Sequence, residues 1–580
     1  MLQHALLFLS LLISALLVRH LHELPLAFRP QGDVHCYGSI ATLSASNSVY
    51  APGCLRLTRD GRFSSVFSAN EEELRRKEKQ EGWNIDLTGH ALPGLWDGHA
   101  HLLQYGEMLA SVQLHDARGF TEIHALIGAY RQLHPGAGSR QSWIIGMGWD
   151  QSHLPHGLLP SAKDLPADLY ILLHRIDFHC IWVSPPVLSL LGPQIPAPPE
   201  GGTIPSAGVF CDNAIDLILP FLPPPTKAQK KSFVLNAQRK LHSYGMVGIH
   251  DAGVVQEDRE LYEEMAETGE LQLRIYAMVE CRIRNSFCPE EAKKVEREDG
   301  MLIVRSVKLF ADGALGSWGA ALLAPYSDKP STNGTMLLAP SLLTQLTAQW
   351  SAAGYQVNIH AIGDAANRAA ISAIASARPK NVPSPAFRLE HAQIIAPEDQ
   401  RKLPALGIVA SIQPTHATSD QFIAEARLGK QRLAESAYRM KSLLQAGVPV
   451  VLGSDFPVEP PPALRGVYAA VTRRDPATGR WVGGGNGFFE EQRLTVWEAL
   501  SGFTRGVAFA GGASDEAGAV EKGKWADWIV LDRRVVEDPK SGWEWLREEE
   551  GLVRETWIRG KRVFGRTEGE ASAGISFELA

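Results

Sequence analysis

Short apolar runs rich in β-branched residues recur through the middle of the chain, and each closes on polar residues and a turn. They are HALPGLWDGHAH (90–101), MVGIHDAG (246–253), LRIYAMVE (from Leu273), VRSVKLFADG (from Val304), YQVNIHAIGD (from Tyr355), FRLEHAQ (from Phe387), GIVASIQPTH (from Gly407) and VPVVLGSDFP (from Val448). Runs of this kind bounded by turn formers predict buried strands. Stretches such as DRELYEEMAETGE (258–270), SLLTQLTAQWSAAG (341–354) and SAYRMKSLLQAG (436–447) lie between them and predict helices. Strands alternating with helices imply a parallel sheet, and eight such units imply an α/β fold closed as a (β/α)8, or TIM, barrel.

The polar closures are chemically able. In order they are His99 and His101, His250 and Asp251, Lys308 and Asp312, His360, His391, Gln413 and His416, and Asp455. Active sites of such barrels lie at the C-terminal ends of the strands. Residues i and i+2 of a strand share a face, so His99 and His101 point the same way and Asp97 joins them. Neutral imidazoles and a carboxylate suit zinc, and an open coordination position lets the ion activate water. His99, His101 and Asp455 are expected to hold a first divalent ion, and His360 and His391, from adjacent strands, a second. Ser306, Lys308, Phe310 and Asp312 alternate onto the face expected to line the barrel interior, where an unpaired ammonium is costly. Pairing of Lys308 with Asp312 is one way to meet that cost. Asp364 is expected to cap the helix after His360 or to support that histidine.

With 580 residues the chain is longer than a bare barrel of ~250. Residues 30–91 and 518–567 alternate short strands and turns, with a charged run at 71–82. The barrel is placed at 92–517. Between its first two strands lie roughly 140 residues, too many for one crossover, so an insert at about 105–240 is expected over the barrel mouth. SWIIGMGWD and LYILLHRIDFHCIWV read as strands within it. Residues 568–580 are expected to be a disordered tail.

Residues 5–18, ALLFLSLLISALLV, form an uncharged apolar run too short to span a bilayer at ~20 residues. Residues 1–24 are therefore expected to be a signal anchor or signal peptide, giving a membrane-associated or secretory-pathway location of uncertain orientation. The six cysteines, 36, 54, 180, 211, 281 and 288, contain no Cys-x-x-Cys pair, which argues against a zinc ribbon. They are expected to be buried free thiols, with a Cys36–Cys54 disulfide as the alternative in a secreted chain. Hydrophobic residues make up 45%, charged residues 21%, and the net charge is −7. No basic face with interleaved aromatics exists, so nucleic acid is not an expected partner.

The strand-end set, together with GWD (148–150), VKLFADGALGSWGAAL (307–322), HAIGDAAN (360–367), RLEHAQ (388–393), SIQPTHATSD (411–420), GSDFPVEP (453–460) and KGKWADWIVLD (522–532), resembles the amidohydrolase superfamily. The closer resemblance is to amidohydrolase family 3, the YtcJ-like branch that includes N-substituted formamide deformylases, over roughly residues 35–567. It implies that 30–91 and 518–567 join into one small β-sandwich domain. It implies one or two metal ions held by His99, His101, Lys308, His360, His391 and Asp455, with Lys308 carboxylated as a bridge. Catalysis would fall to Asp455, as base toward a metal-activated water, and to His391. Substrate contacts would come from Trp149, His179, Asp312 and His416. Such enzymes usually carry Asn where HCIWVS places Ser184, a departure in the substrate-contacting segment. The expected activity is hydrolysis of a non-peptide carbon–nitrogen bond in a small amide-type molecule, such as an N-acyl or N-formyl amine. A deaminase of the same fold is the alternative. A catalytically inactive, membrane-tethered binding protein is the alternative of another class, which the complete residue set opposes. Whether the chain forms a homodimer is left open.

Overall fold

The computed structural model describes residues 33–81, 83–175, 180–199, 202–377, 386–481, 487–535 and 542–566. Eight parallel strands form the barrel: β1 (Leu95–Ala100), β2 (Met246–Val254), β3 (Arg274–Val279), β4 (Leu302–Phe310), β5 (Gln356–Ala361), β6 (Phe387–His391), β7 (Val409–Ile412) and β8 (Val450–Leu452). Each pairs in parallel with the next, from β1 to β8. The strands are short and buried on both faces, so they read as apolar runs rather than as alternating patterns.

The ring closes just beyond β8. The amide of Asp455 donates to the His99 carbonyl at 2.8 Å, and the amide of His101 donates to the Phe456 carbonyl at 2.9 Å. Asp97 stitches the same seam. Its carboxylate accepts the His99 amide at 2.9 Å, the Ser454 amide at 3.0 Å and the Ser454 hydroxyl at 2.7 Å. Two glycines permit this approach. A Cβ at Gly453 would stand 2.5 Å from Asp97 Oδ1 and 2.6 Å from the His99 nitrogen, and one at Gly98 would stand 2.7 Å from the Leu452 carbonyl.

Strands from both ends of the chain make one eight-stranded sheet beside the barrel. Trp528–Leu531 runs antiparallel to Asn84–Pro93, with Ile529 opposite Leu92. Between β1 and β2 the chain builds a six-stranded sheet that includes Ile144–Trp149, Ile171–Arg175 and Cys180–Val183. This insert has its own core, in which Leu173, Trp149 and Trp182 are buried. The helix Lys227–Ser243 leads back to β2. Its first turn is closed by a reciprocal cap between Thr226 and Gln229.

Two expectations are corrected. The cysteines are not free thiols: Cys36–Cys54, Cys180–Cys211 and Cys281–Cys288 are all disulfides. The first two join residues directly opposite one another on antiparallel strands, a pairing that strand register creates and chain spacing does not reveal. The expected membrane-associated or secretory-pathway location is also corrected. Among the described residues no helix is long and apolar enough to cross a membrane. Residues 1–24, on which that expectation rested, lie outside the described residues, as does the tail 568–580.

Thiol titration of the denatured, unreduced protein should find no free thiol from these six cysteines. Cys180 and Cys211 are 31 residues apart. Replacing both by Ala should lower unfolding stability by about 3–4 kcal/mol for a loop of that size, measured by denaturant titration.

Candidate metal centre

The C-terminal ends of β1, β4, β5, β6 and β8 converge on one small volume. Ligand atoms of His99, His391 and Asp455 lie within 4.8 Å of one another. Asp455 Oδ1 stands 3.1 Å from His101 Nε2 and 3.6 Å from His99 Nε2, while Oδ2 stands 4.0 Å from both His391 Nδ1 and His416 Nε2. The His360 and His391 rings are 4.4 Å apart between centroids. Lys308 reaches inward from β4, its Nζ 3.0 Å from His99 Nε2. His99, His101, Lys308, His360, His391, His416 and Asp455 are thus brought together.

Two of these residues sit on unusual backbone. His391 has φ 70° and Asp455 has φ 63°, both in the left-handed region. Such conformations cost of order 1–3 kcal/mol each and are found where function holds them. At His391 the consequence is directional. Strand alternation sends it away from the face of Arg388 and Glu390, and the turn of the backbone brings its ring to 4.9 Å from that of His99.

The electrostatics follow from burial. Burial, then the Lys308 ammonium, lowers the His99 pKa to about 4. The same two causes lower His360 to about 3. Burial lowers Lys308 to about 8. For Asp455 burial opposes ionisation, but the surrounding imidazoles of His99, His101 and His391 prevail and hold it well below the usual carboxylate range. Neutral imidazoles at His99 and His360 beside an ionised Asp455 are the protonation states that a divalent ion requires. The Nε2 atoms of His360 and His416 are buried with no hydrogen-bond partner, as an imidazole awaiting an ion or a ligand would be. These residues fit a divalent metal.

Trp149 is 1% exposed within the insert's core, its indole N–H donating to the Leu173 carbonyl at 3.0 Å. Ser184 is likewise buried in the insert and donates to the Leu169 carbonyl at 2.6 Å. Asp312 accepts amides from Ala321, Ile362 and Gly363 at 2.8–3.0 Å, tying the loop after β4 to the end of β5, and its Oδ1 stands 3.7 Å from His360 Nε2. Asp364 accepts the Leu323 amide at 2.8 Å and fastens the same loop. His250 lies in the barrel interior, its Nδ1 accepting from Arg388 at 2.6 Å. His179 lies outside the described residues.

Two residues of the site were not singled out in the sequence. Glu390 and Arg388 are both fully buried, with Arg388 Nε 2.8 Å from Glu390 Oε1. Glu390 Oε2 accepts from His99 Nδ1 at 2.5 Å. The signal was available in RLEHAQ, where opposite charges at i and i+2 of an apolar strand face one way into the interior. Gln413 adds a comparable contact, its Oε1 3.1 Å from His391 Nδ1.

A barrel carrying imidazoles, a lysine and a carboxylate at its strand ends defines a hydrolase of the metal-dependent class. The sequence pattern of the amidohydrolase family matches residues 84–564. The YtcJ protein of Bacillus subtilis (strain 168) is 30% identical over 477 residues, covering 79% of this chain and 87% of that protein. The N-substituted formamide deformylase of Arthrobacter pascens is 24% identical over 569 residues, covering 91% and 97%. The crystal structure of an uncharacterized metal-dependent hydrolase from Pyrococcus furiosus is 25% identical with a TM-score of 0.69, covering 86% of this chain and 99% of that one. The chain belongs to the amidohydrolase family and is a hydrolase.

If Trp149 serves packing alone, Trp149→Phe should lower stability by about 1–3 kcal/mol through the orphaned Leu173 carbonyl while leaving KM unchanged. Denaturant titration together with steady-state kinetics checks this.

Proposed function

We propose that the protein hydrolyses a non-peptide carbon–nitrogen bond in a small amide-type substrate, such as an N-acyl or N-formyl amine. The observation that carries this reading is the convergence of His99, His391 and Asp455 donor atoms within 4.8 Å at the C-terminal mouth of the barrel. The 24% identity to an N-substituted formamide deformylase over 569 residues supports the bond type.

His99, His101, His360, His391 and Asp455 would hold one or two divalent ions, with zinc the best match to imidazole and carboxylate donors. Such an ion supplies a Lewis acid for the scissile carbonyl and makes a nearby water acidic enough to attack at neutral pH. Asp455 takes the proton from the attacking water and delivers it to the leaving nitrogen. Its two oxygens are suited to that shuttle, Oδ1 facing His101 and Oδ2 facing His391 and His416. His416, with Nε2 unpartnered, is placed to donate to the substrate carbonyl oxygen. Lys308 is the position for a carboxylated lysine, because its Nζ stands 3.0 Å from a proposed ligand atom, His99 Nε2, and a carbamate there would turn a repelled cation into a ligand. Without carboxylation the centre is mononuclear and His391 orients the water or the substrate.

Asp455→Asn is nearly isosteric but cannot take up the proton. It should keep the fold and much of the metal while lowering kcat by about 10²–10⁴. Turnover of a metal-loaded Asp455→Asn protein within a few-fold of wild type would place the base elsewhere. Products decide the bond: an acid plus an amine from N-acyl amines and formamides supports this reading, and ammonia release would identify a deaminase.

His99→Ala combined with His101→Ala should abolish metal binding and activity together, read by elemental analysis. Lys308→Ala should reduce the metal stoichiometry, and a short-chain carboxylic acid added with metal should partly restore turnover. An unmodified lysine mass at full metal loading would support the mononuclear centre.

A further inference from the structure

Arg388 and Glu390 form a buried ion pair in the barrel interior, and the pair reaches further than stability requires. Arg388 Nη2 donates to the Gly98 carbonyl at 2.9 Å, one residue before His99. Its Nη1 donates to His250 Nδ1 at 2.6 Å, so the guanidinium bridges β6, β1 and β2. Glu390 then spends its second oxygen on His99 Nδ1 at 2.5 Å. An ionised carboxylate can only accept. The proton of neutral His99 is therefore on Nδ1, and the lone pair of its Nε2 accepts from Lys308 Nζ at 3.0 Å beside Asp455.

We propose that Glu390, held by Arg388, is the positioning residue that fixes the Nδ1–H tautomer and ring orientation of His99 and so prepares Nε2 as a metal ligand. The chain Arg388–Glu390–His99 would thus support the metal centre without either charged residue serving as a ligand. Ligating histidines commonly donate their second N–H to a carboxylate, which raises ligand basicity and fixes the ring. The geometry also explains why two charges are kept in a closed interior, where an apolar pair of similar volume would cost no desolvation. The inference rests on His99 being a ligand, as read above, but the tautomer is a property of the metal-free protein and is tested separately.

The test uses the full chain. Zinc affinity is measured by chelator competition, alongside the metal-free Tm and nitrogen NMR of histidine-labelled protein, in which the His99 signals are those lost in His99→Gln. The wild type should show His99 protonated on Nδ1. Arg388→Met with Glu390→Leu removes both charges together, so that neither is left buried alone. It should keep a metal-free Tm near that of the wild type, release the tautomer preference, and weaken zinc binding about 10–100-fold. Glu390→Gln retains an acceptor oxygen and should restore affinity to within about tenfold of wild type. Wild-type His99 protonated on Nε2, or wild-type zinc affinity in the folded double variant, would overturn the proposal. If the double variant does not fold, Glu390→Gln decides: an unchanged tautomer with intact affinity supports the role, and a lost tautomer with intact affinity refutes it. If the wild type binds no zinc, the metal reading fails, and the tautomer alone decides this inference.

Discussion

Everything at the site depends on how the barrel closes between its first and last strands. Closure demands that two backbones approach until β1 and the segment after β8 exchange hydrogen bonds. Side chains at Gly98 and Gly453 would forbid that approach. Asp97 occupies the space the glycines leave and binds the amides of His99 and Ser454 at once. Asp455 is far in sequence from His99 and His101, yet the seam places its carboxylate 3.6 Å from the first and 3.1 Å from the second. The grouping of these side chains is therefore founded on a backbone contact.

A second constraint is the cost of polar groups in a sealed interior. Lys308, Arg388, Glu390, His99 and Asp455 are all deeply buried, and each would be prohibitively expensive alone. They are tolerable because they meet one another in one network: Arg388 pairs with Glu390, Glu390 accepts from the neutral His99 ring, and that ring lies against Lys308 and Asp455. Removing one member leaves its neighbour uncompensated, at a cost of about 3–5 kcal/mol for a buried pair. The left-handed backbone at His391 and Asp455 adds strain to the same place. The scaffold around it is correspondingly over-determined, as where Asp312 accepts three backbone amides.

Trp149 and Asp312 stand in motifs that resemble those of related enzymes, but a motif does not say which way a side chain faces. Trp149 is turned into the core of the insert, and Asp312 onto backbone amides of its own loop and of the end of β5. The cysteines were misread for a related reason: 18, 31 and 7 residues separate the partners, and only the register of adjacent strands puts Cys36 opposite Cys54 and Cys180 opposite Cys211.

By itself the sequence determined the barrel, because burial on both faces forces strands to be short, apolar and separated by helices, a pattern that is local. It also marked His99, His101, Lys308, His360, His391 and Asp455 as a group, because chemistry at strand ends interrupts that pattern at regular places. Tertiary structure alone decided which of these atoms meet, that Asp455 lies against His101, and that Lys308 faces His99 rather than Asp312. It also decided that Glu390 stands behind His99. Those relations are contacts across the ring between residues up to several hundred positions apart, and no local periodicity encodes the distance between two strands until the sheet has closed.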